Sequence, residues 1–595
     1  MKLSDYVIQK LEEAGVRQVF VLVGGMAMHL NDSLGRSTQI HYTCNLHEQA
    51  ASVAAEAYAK YAHRLGVCMV TAGPGSTNTI TGVAGAWLDS SPVLFLSGQV
   101  KRADLKTGTA LRNRGVQEVD IVSMVQSITK YAVTVTDPQS IRYHLEKALY
   151  LAQQSRTGPV WLDLPLDVQA ATIEPASLAG FEPPTIAPPS LATAVSELIG
   201  DLNRSDRPFL LLGNGVRMAQ AGPQVAALVE TLNIPVGLTW PAMDLLPDTH
   251  PLVVGRPGPI APRGANFALQ NSDFFLSIGA RLDLVCTAFA PEKLARAAIK
   301  TMVDVDPAEL AKLQNYFQRL LCADAGDFIQ ELIRQRASLQ ARDRTPWLHR
   351  CQDWKKRYPL VTSAHRAKEA PLSMFYFTEF LSQTLQPGDL IIPTSSGSAI
   401  ETFLLAFQTK ERQRIFITTG LGPMGFGLPS SIGGCLAHQG KRTICIEADG
   451  GLQMNVQELE TISRLGLPIK VFVINNQGYS SMVTSQKNYF GRFVGANPAS
   501  GLTLPDTLAI AQAYRLPAHR IRTKAELEEK LSLLLAEDGP AVIEVFVDPD
   551  EPREPRVASQ QRPDGTMVSK PLEDLYPFLP RDEFAANMLI EMWPD

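Results

Sequence analysis

Three doubly wound α/β domains, each a Rossmann-like parallel sheet, are the fold this sequence predicts. Three observations predict it. Short apolar runs ended by glycine, proline or polar turns recur along all 595 residues. The runs are apolar on both faces, the pattern of parallel strands buried between helix layers. Helical patterns separate them, and strand alternating with helix winds a sheet of this class.

In the first third the runs are VFVLVGG (19–25), VCMVTAG (67–73), VLFLSG (93–98) and VWLDLP (160–165). FLLLGNG (209–215), FFLSIGA (274–280) and TMVDVD (301–306) follow in the middle. LIIPTSSG (390–397), TICIEADG (443–450), KVFVINN (470–476) and VIEVFVD (542–548) complete the last third. Among the helices, Ser4 is placed to cap one with Leu3, Tyr6, Val7 and Leu11 on one side. Segment 48–62 is Ala-rich and a strong helix former. Segment 455–466 carries a stripe of Val456, Leu459, Ile462 and Leu465 and stops at Gly466. Functional loops then belong at the C-terminal ends of the strands.

Two stretches break the pattern. Residues 171–190 hold five prolines and no periodicity, a linker; residues 340–371 are charged, include Trp347 and Trp354, and form a connecting helix. The division is therefore 1–180, 181–365 and 366–550, with a tail at 551–595 anchored by Leu575, Tyr576, Phe578 and Leu579. The length agrees, since a domain takes about 150 residues.

Composition excludes several classes of function. A formal net charge of −5 over this length implies no nucleic-acid and no membrane partner. No apolar run reaches the roughly 18 residues a membrane span needs. The first residues are amphipathic and acidic, unlike a signal peptide. Seven scattered cysteines without a CxxC pair suggest reduced thiols, a cytoplasmic location and no zinc site.

The most informative stretch is 447–482. One buried run ends in Ala448-Asp449-Gly450-Gly451, a helix follows, and a second run ends in Asn475-Asn476-Gln477-Gly478. Asp449 and Asn476 are 27 residues apart, about one β-α-β unit, so both emerge at one sheet edge. Each offers oxygen to a hard cation, and Mg²⁺ favours few protein oxygens plus phosphate oxygens. The glycines permit close backbone approach, and the helix beginning near Asn455 helps hold a phosphate. A second constellation joins Glu48, at the start of the Ala-rich helix, with the rigid Gly-Pro-Gly-Ser-Thr-Asn turn of 73–78. Alone, Glu48 reads as an acid favoured by the helix dipole.

Together these segments resemble the thiamine-diphosphate-dependent enzyme family. The resemblance implies the thiamine-diphosphate-binding fold and a pyrimidine-binding first domain. It implies that Asp449, Asn476 and the Gly478 carbonyl hold Mg²⁺ on the diphosphate, with Gly450 and Gly451 beside it. Ala448 stands where the family usually has glycine, a departure of one methyl. Glu48 then takes the place of the carboxylate that bonds the aminopyrimidine and favours its proton-accepting tautomer, so that the cofactor carries the hard chemistry. A homodimer or homotetramer with sites at the subunit interface is implied as well.

Over roughly residues 1–550 the chain is most similar to the acetolactate synthase (acetohydroxyacid synthase) catalytic chain, through segments 115–131, 156–169 and 420–429. That likeness implies Met424 under the bent cofactor, the Gly422 carbonyl on its 4'-amino group, and Ser396, Gly397 and Ser398 along the diphosphate. It also implies a carboligase that decarboxylates pyruvate and passes two carbons to a 2-oxo acid or another ketone. GNGVR (213–217) and GARLD (279–283) resemble segments that line a flavin there, but LVCTAFAPEK after GARLD departs, which leaves FAD open. Gln486 replaces a Trp and Val116 replaces a Phe on the acceptor side, and the longer tail is a candidate cover for that pocket. The rival readings are a 2-oxo-acid decarboxylase, a carbon–carbon lyase and a non-catalytic scaffold. The absence of a His-His pair favours ligation, and His47 reads as structural.

Overall fold

The computed structural model describes the chain except residues 186–189, 395–396, 562–566 and 594–595. It holds three six-stranded sheets, each parallel throughout. The first contains β1 (Gln18–Val21), β2 (His41–Cys44), β3 (Gly66–Val70), β4 (Val93–Gln99), β5 (Tyr131–Thr134) and β6 (Val160–Pro165), in spatial order 2-1-3-4-6-5. The middle sheet contains β7 (Pro208–Leu212), β8 (Val236–Leu238), β9 (Val253–Gly255), β10 (Phe274–Ile278), β11 (Ile299–Asp304) and β12 (Arg319–Cys322), ordered 12-11-10-7-8-9. The last contains β13 (Leu390–Pro393), β14 (Arg414–Ile415), β15 (Thr443–Ala448), β16 (Ile469–Asn475), β17 (Ala518–Ile521) and β18 (Ala541–Phe546), ordered 14-13-15-16-18-17. The predicted fold class is borne out.

The outer sheets share one topology. β14 takes in the last sheet the place of β2 in the first, β15 that of β3, and β16 that of β4. The helices that follow β2 and β14, Glu48–Ala62 and Gly427–Ala437, pack on each other. Their small residues allow it: a Cβ at Gly433 would stand 2.0 Å from the Ala54 carbonyl oxygen. The Ala-rich composition therefore serves close packing as well as helix propensity.

Some elements differ from their sequence readings. Ser4 lies inside the helix Leu3–Glu13, buried, where its hydroxyl accepts from Ser33 Oγ at 2.9 Å; Lys2 is the residue at the cap. The stretch after Asp449 forms a short helix, Asp449–Leu452, and the longer one starts at Glu458 rather than near Asn455. Asn455 is drawn away by its side chain, which donates to the Gly425 carbonyl at 2.9 Å. The charged stretch 340–371 holds two helices, Thr345–Arg357 and Ser363–Ala367, with Trp347 and Trp354 buried.

Among the described residues the tail docks on the middle domain, and its Arg553 also donates to Ser481 of the helix Ser480–Phe490, which carries Gln486. The tail's strap meets the middle domain where Val557 N donates to the Pro259 carbonyl at 2.7 Å. Beyond it Asn266, Gln270 and Arg296 bind Leu572 and Glu573. Asn266 and Gln270 on the helix Arg263–Gln270 are fully buried there, meeting the tail's backbone and the Glu573 carboxylate. Among the described residues no helix is long and apolar enough to cross a membrane.

One buried charge in the first sheet gives a pH test. Asp163 accepts from Ser97, Gln99 and Thr134, yet burial pushes its carboxyl up to about 6. A raised carboxyl favours folding while protonated, so that contribution is complete below the ordinary 3.8 and is lost as pH rises through about 6. Asp163→Asn is therefore expected to raise the melting temperature more at about pH 8 than at about pH 4, as thermal unfolding at the two values would register.

Candidate active site

Parallel pairing of β15 with β16 sets Ala448 beside Ile474, so the loops that follow leave one edge together. Both strands are buried almost throughout, as their apolar runs require. Asp449 lies in the crevice, its Oδ1 accepting from Gly450 N at 2.7 Å and its Oδ2 from Gly478 N at 3.1 Å. The two halves of the predicted motif thus meet. Burial pushes the Asp449 carboxyl up to about 6, against backbone N–H groups that hold it down. Asn476 is also buried, with Nδ2 donating to Ser480 Oγ at 3.1 Å.

The glycines are needed where they stand. Gly478 has φ +126°, and a Cβ there would stand 2.5 Å from the Ala496 carbonyl oxygen. At Gly450 it would lie 2.4 Å from the Tyr479 ring, and at Gly451 2.3 Å from Glu447 Oε1. One carboxylate, one side-chain amide and closely approachable backbone form a hard oxygen set, which fits Mg²⁺ carrying a diphosphate. With a single carboxylate it is no cluster of metal-binding acids, and among the described residues no group of three or more His, Cys, Asp or Glu stands ready for a metal.

Glu48 opens the helix Glu48–Ala62 and is 9% exposed. Its Oε2 accepts from Asn78 Nδ2 at 2.9 Å, so the Gly-Pro-Gly-Ser-Thr-Asn turn is what reaches it. His47 is the N-cap, accepting from Gln49 N through Nδ1 at 3.0 Å, in line with a structural part. Among the described residues no hydrogen bond joins Glu48 to Asp449, Asn476 or Gly478.

Met424 sits half-buried in a turn between Gly422, at φ +67°, and Gly425, at φ +75°. Gly397, at φ +82°, opens the helix Gly397–Ala406. Ser396 and the side chain of Ser398 lie outside the described residues. On the acceptor side, Val116 is 83% exposed. The Gln486 amide donates to the Val494 carbonyl at 3.1 Å and accepts from Val494 N at 2.7 Å. It does so because Gly491, at φ +65°, ends the helix Ser480–Phe490 and folds the chain back over it.

Three polar residues escaped the sequence reading. Glu447 is fully buried and accepts from Thr394 Oγ1, Ala448 N and Gly427 N, binding three loops of the last domain together; a carboxylate inside an apolar strand was its signal. Gln117, at φ +66°, lies against Gly73, where a Cβ would stand 3.0 Å from its Cα. Glu458 is fully buried although it sits on a helix that looked amphipathic.

A cavity of about 650 Å³ opens at the C-terminal edge of the middle sheet. Asn214 and Gly215 after β7, Gly279 and Arg281 after β10, and Asp304 at the end of β11 line it, and it reaches Gly397 and Gly422 of the last domain. Counted within its own domain the sheet order is 3-2-1-4-5-6, whose switch point lies between β7 and β10. The glycine turns pack on each other there: a Cβ at Gly215 would stand 2.7 Å from Gly279 Cα.

This arrangement corresponds to a known class. Residues 1–124 match the N-terminal TPP binding domain of thiamine pyrophosphate enzymes, 195–332 their central domain, and 396–545 their C-terminal TPP binding domain. The chain belongs to the thiamine pyrophosphate enzyme family. Within it, the chain is similar to acetolactate synthases. It is 32% identical to a probable acetolactate synthase large subunit of Methanocaldococcus jannaschii, over 93% of each chain. It is 33% identical to the chloroplastic acetolactate synthase 2 of Zea mays, over 94% of this chain and 87% of the relative. It is 30% identical to the acetolactate synthase isozyme 1 large subunit of Escherichia coli, over 93% of this chain and 95% of the relative.

Proposed function

We propose that this chain is a thiamine-diphosphate- and Mg²⁺-dependent carboligase of the acetolactate synthase type. It decarboxylates pyruvate and transfers the two-carbon unit to a 2-oxo acid or another ketone. The observation that carries the reading is the meeting of Asp449 with Gly478 at the ends of adjacent strands, with Glu48 at the matching edge of a sheet of the same topology. When bound, thiamine diphosphate supplies the nucleophilic carbon and the sink for the electrons left by decarboxylation.

The chain's residues do the rest. Asp449, Asn476 and the Gly478 carbonyl hold Mg²⁺, and Gly450, Gly451, Ser396, Gly397 and Ser398 receive the diphosphate. Met424 and Gly422 orient the rings. Glu48 holds a proton on Oε1 or Oε2 against the pyrimidine nitrogen, in a place that burial keeps from bulk water. Glu48 belongs to the first domain and Asp449 to the last, and the family resemblance supports two copies completing each site, as a homodimer or a pair of them in the cytoplasm.

The middle cavity is assigned to FAD, on the strength of its volume, its glycine turns and its place at a 3-2-1-4-5-6 switch point, the setting of dinucleotide sites. Flavin released by denaturing the purified protein, read by fluorescence, tests this part alone.

The reaction is tested by incubating the protein with pyruvate, thiamine diphosphate, Mg²⁺ and candidate ketones, with products read by mass spectrometry. Acetolactate or another two-carbon adduct is expected; carbon dioxide with free acetaldehyde as the sole products would overturn the carboligase reading. The metal site has its own test. Asp449→Ala removes the one carboxylate, and loss of groups merely behind a metal ligand already costs about 10–100-fold. Mg²⁺-dependent cofactor affinity, followed by quenching of intrinsic fluorescence, is expected to drop by about 100-fold or more.

A further inference from the structure

We propose that Glu458 is a positioning residue for Glu48, acting from the last domain on the loop that delivers Glu48 from the first. The inference rests on the assignment of Glu48 made above. Glu458 begins the helix Glu458–Leu465 and is fully buried. Its Oε1 accepts from the backbone N–H groups of Leu46 at 2.8 Å and His47 at 3.2 Å. Its Oε2 accepts from Asn45 Nδ2 at 2.9 Å and from Thr461 Oγ1 at 2.8 Å. Three consecutive residues before Glu48 thus donate to one carboxylate more than 400 positions away in sequence.

A second contact grips the same loop. Arg464, on the same helix, donates from Nη2 to the Cys44 carbonyl at 2.9 Å. The loop 44–47 is therefore held through one carbonyl and three N–H donors by a single helix. That helix is tied in turn to the cofactor loops of its own domain. Glu458 N donates to the Asn455 carbonyl at 3.0 Å, and Asn455 Nδ2 donates to the Gly425 carbonyl, next to Met424.

The need for such a grip follows from the chemistry. A carboxylate that exchanges a proton with a ring nitrogen must stand within hydrogen-bond reach, about 2.6–3.2 Å. A misplacement of about 1 Å costs on the order of 10²-fold in rate. Among the described residues the Glu48 side chain is bonded by Asn78 alone, and its backbone starts where the clamped loop ends. Without Glu458, the part-buried N–H groups of Leu46 and His47 lose their protein acceptor, and the loop is freed to shift.

The substitution Glu458→Gln keeps an oxygen for both backbone donors. Asn45 can turn its amide so that Oδ1, a buried oxygen without a partner, accepts from the new Nε2. Glu458→Ala removes everything. In the cofactor-free protein, hydrogen exchange read by mass spectrometry is expected to show faster exchange of Leu46 and His47 in Glu458→Ala, with protection largely restored in Glu458→Gln. With cofactor and Mg²⁺ bound and no substrate present, exchange of the cofactor's C2 proton for deuterium, read by NMR, is expected to slow at least tenfold in Glu458→Ala. Cofactor affinity, set by the Asp449 loop, is expected to change less than threefold.

If Glu458→Ala does not fold, Arg464→Ala, at an exposed position, loosens the same loop and is expected to slow C2 exchange two- to fivefold. Unchanged C2 exchange in the folded variant overturns the proposal, as does a loss that merely follows cofactor affinity. Glu48→Gln separates the two levels. If it slows C2 exchange while the Glu458 and Arg464 variants do not, the clamp is wrong and the assignment of Glu48 stands; if it has no effect, that assignment itself fails.

Discussion

Glu48→Gln is expected to lower turnover by roughly 10²- to 10⁴-fold, the range a positioned proton-transfer group contributes. The change is close to isosteric. The amide oxygen still accepts from Asn78, whose bond to Oε2 is 2.9 Å in the native protein. The helix stays capped by His47, and the loss of a negative charge in its first turn costs about 0.3–1 kcal/mol. Folding and cofactor affinity should therefore survive, since Asp449 and Asn476 lie on another domain. What disappears is the capacity to hold and release a proton. The kcat, the cofactor Kd and the melting temperature of the variant separate these contributions. A variant that turns over at the native rate would remove Glu48 from the mechanism.

How far the sequence foretold the molecule follows from where each element lies. The apolar runs picked out by pattern are inner strands of the three sheets: β1, β3, β4 and β6, β7, β10 and β11, and β13, β15, β16 and β18. An inner parallel strand is covered on both faces, so it must be apolar throughout. The strands that the pattern passed over are mostly edges. β2 (HYTC), β5 (YAVT), β12 and β17 are partly exposed and carry polar residues, while β14 has two residues and β8 and β9 three each. Local sequence marks burial, and an edge strand has little of it.

The site divides in the same way. Asp449 and Gly478 were legible because one β-α-β unit brings them together. Glu458 was not, since an acid on a helical stripe looks solvent-facing until a loop from another domain covers it. Gln486 is held locally: the turn at Gly491 gives its amide a backbone partner in Val494.

Removing residues 571–595 is expected to unfold the middle domain or make the chain insoluble. The tail carries Leu572, Leu575 and Phe584, each 3% exposed or less. Burying such a side chain stabilises by about 1.5–3 kcal/mol. Phe584 also covers Phe267, with ring centroids 6.3 Å apart, beside Trp354. Polar bonds are lost as well. Trp354 Nε1 donates to Asn587 Oδ1 at 2.7 Å, Asn271 Nδ2 to the Asn587 carbonyl at 3.1 Å, and Asn266 Nδ2 to the Leu572 carbonyl at 2.7 Å. A buried donor that loses its acceptor costs about 1–3 kcal/mol; this applies most fully to Trp354 Nε1, since Asn266 Nδ2 and Asn271 Nδ2 keep the Gly258 and Phe267 carbonyls. Together these approach the 5–15 kcal/mol or so that holds a whole domain folded. A point substitution isolates one contact. Glu573, 2% exposed, accepts from Arg296 at 2.6 Å and from Gln270 at 2.6 Å. Glu573→Ala removes the carboxylate partner of both, leaving Gln270 its bond to the Lys293 carbonyl and Arg296 its bond to the Glu591 carbonyl, and is expected to cost about 3–5 kcal/mol, the usual result of breaking a buried pair. Differential scanning calorimetry should show the loss. If the proposed FAD occupies the middle domain, flavin should dissociate at a lower temperature in the variant. A truncated chain that melts at the native temperature would make the tail peripheral, whereas the buried network from Asn266 to Asn587 requires it to be part of the middle domain's core.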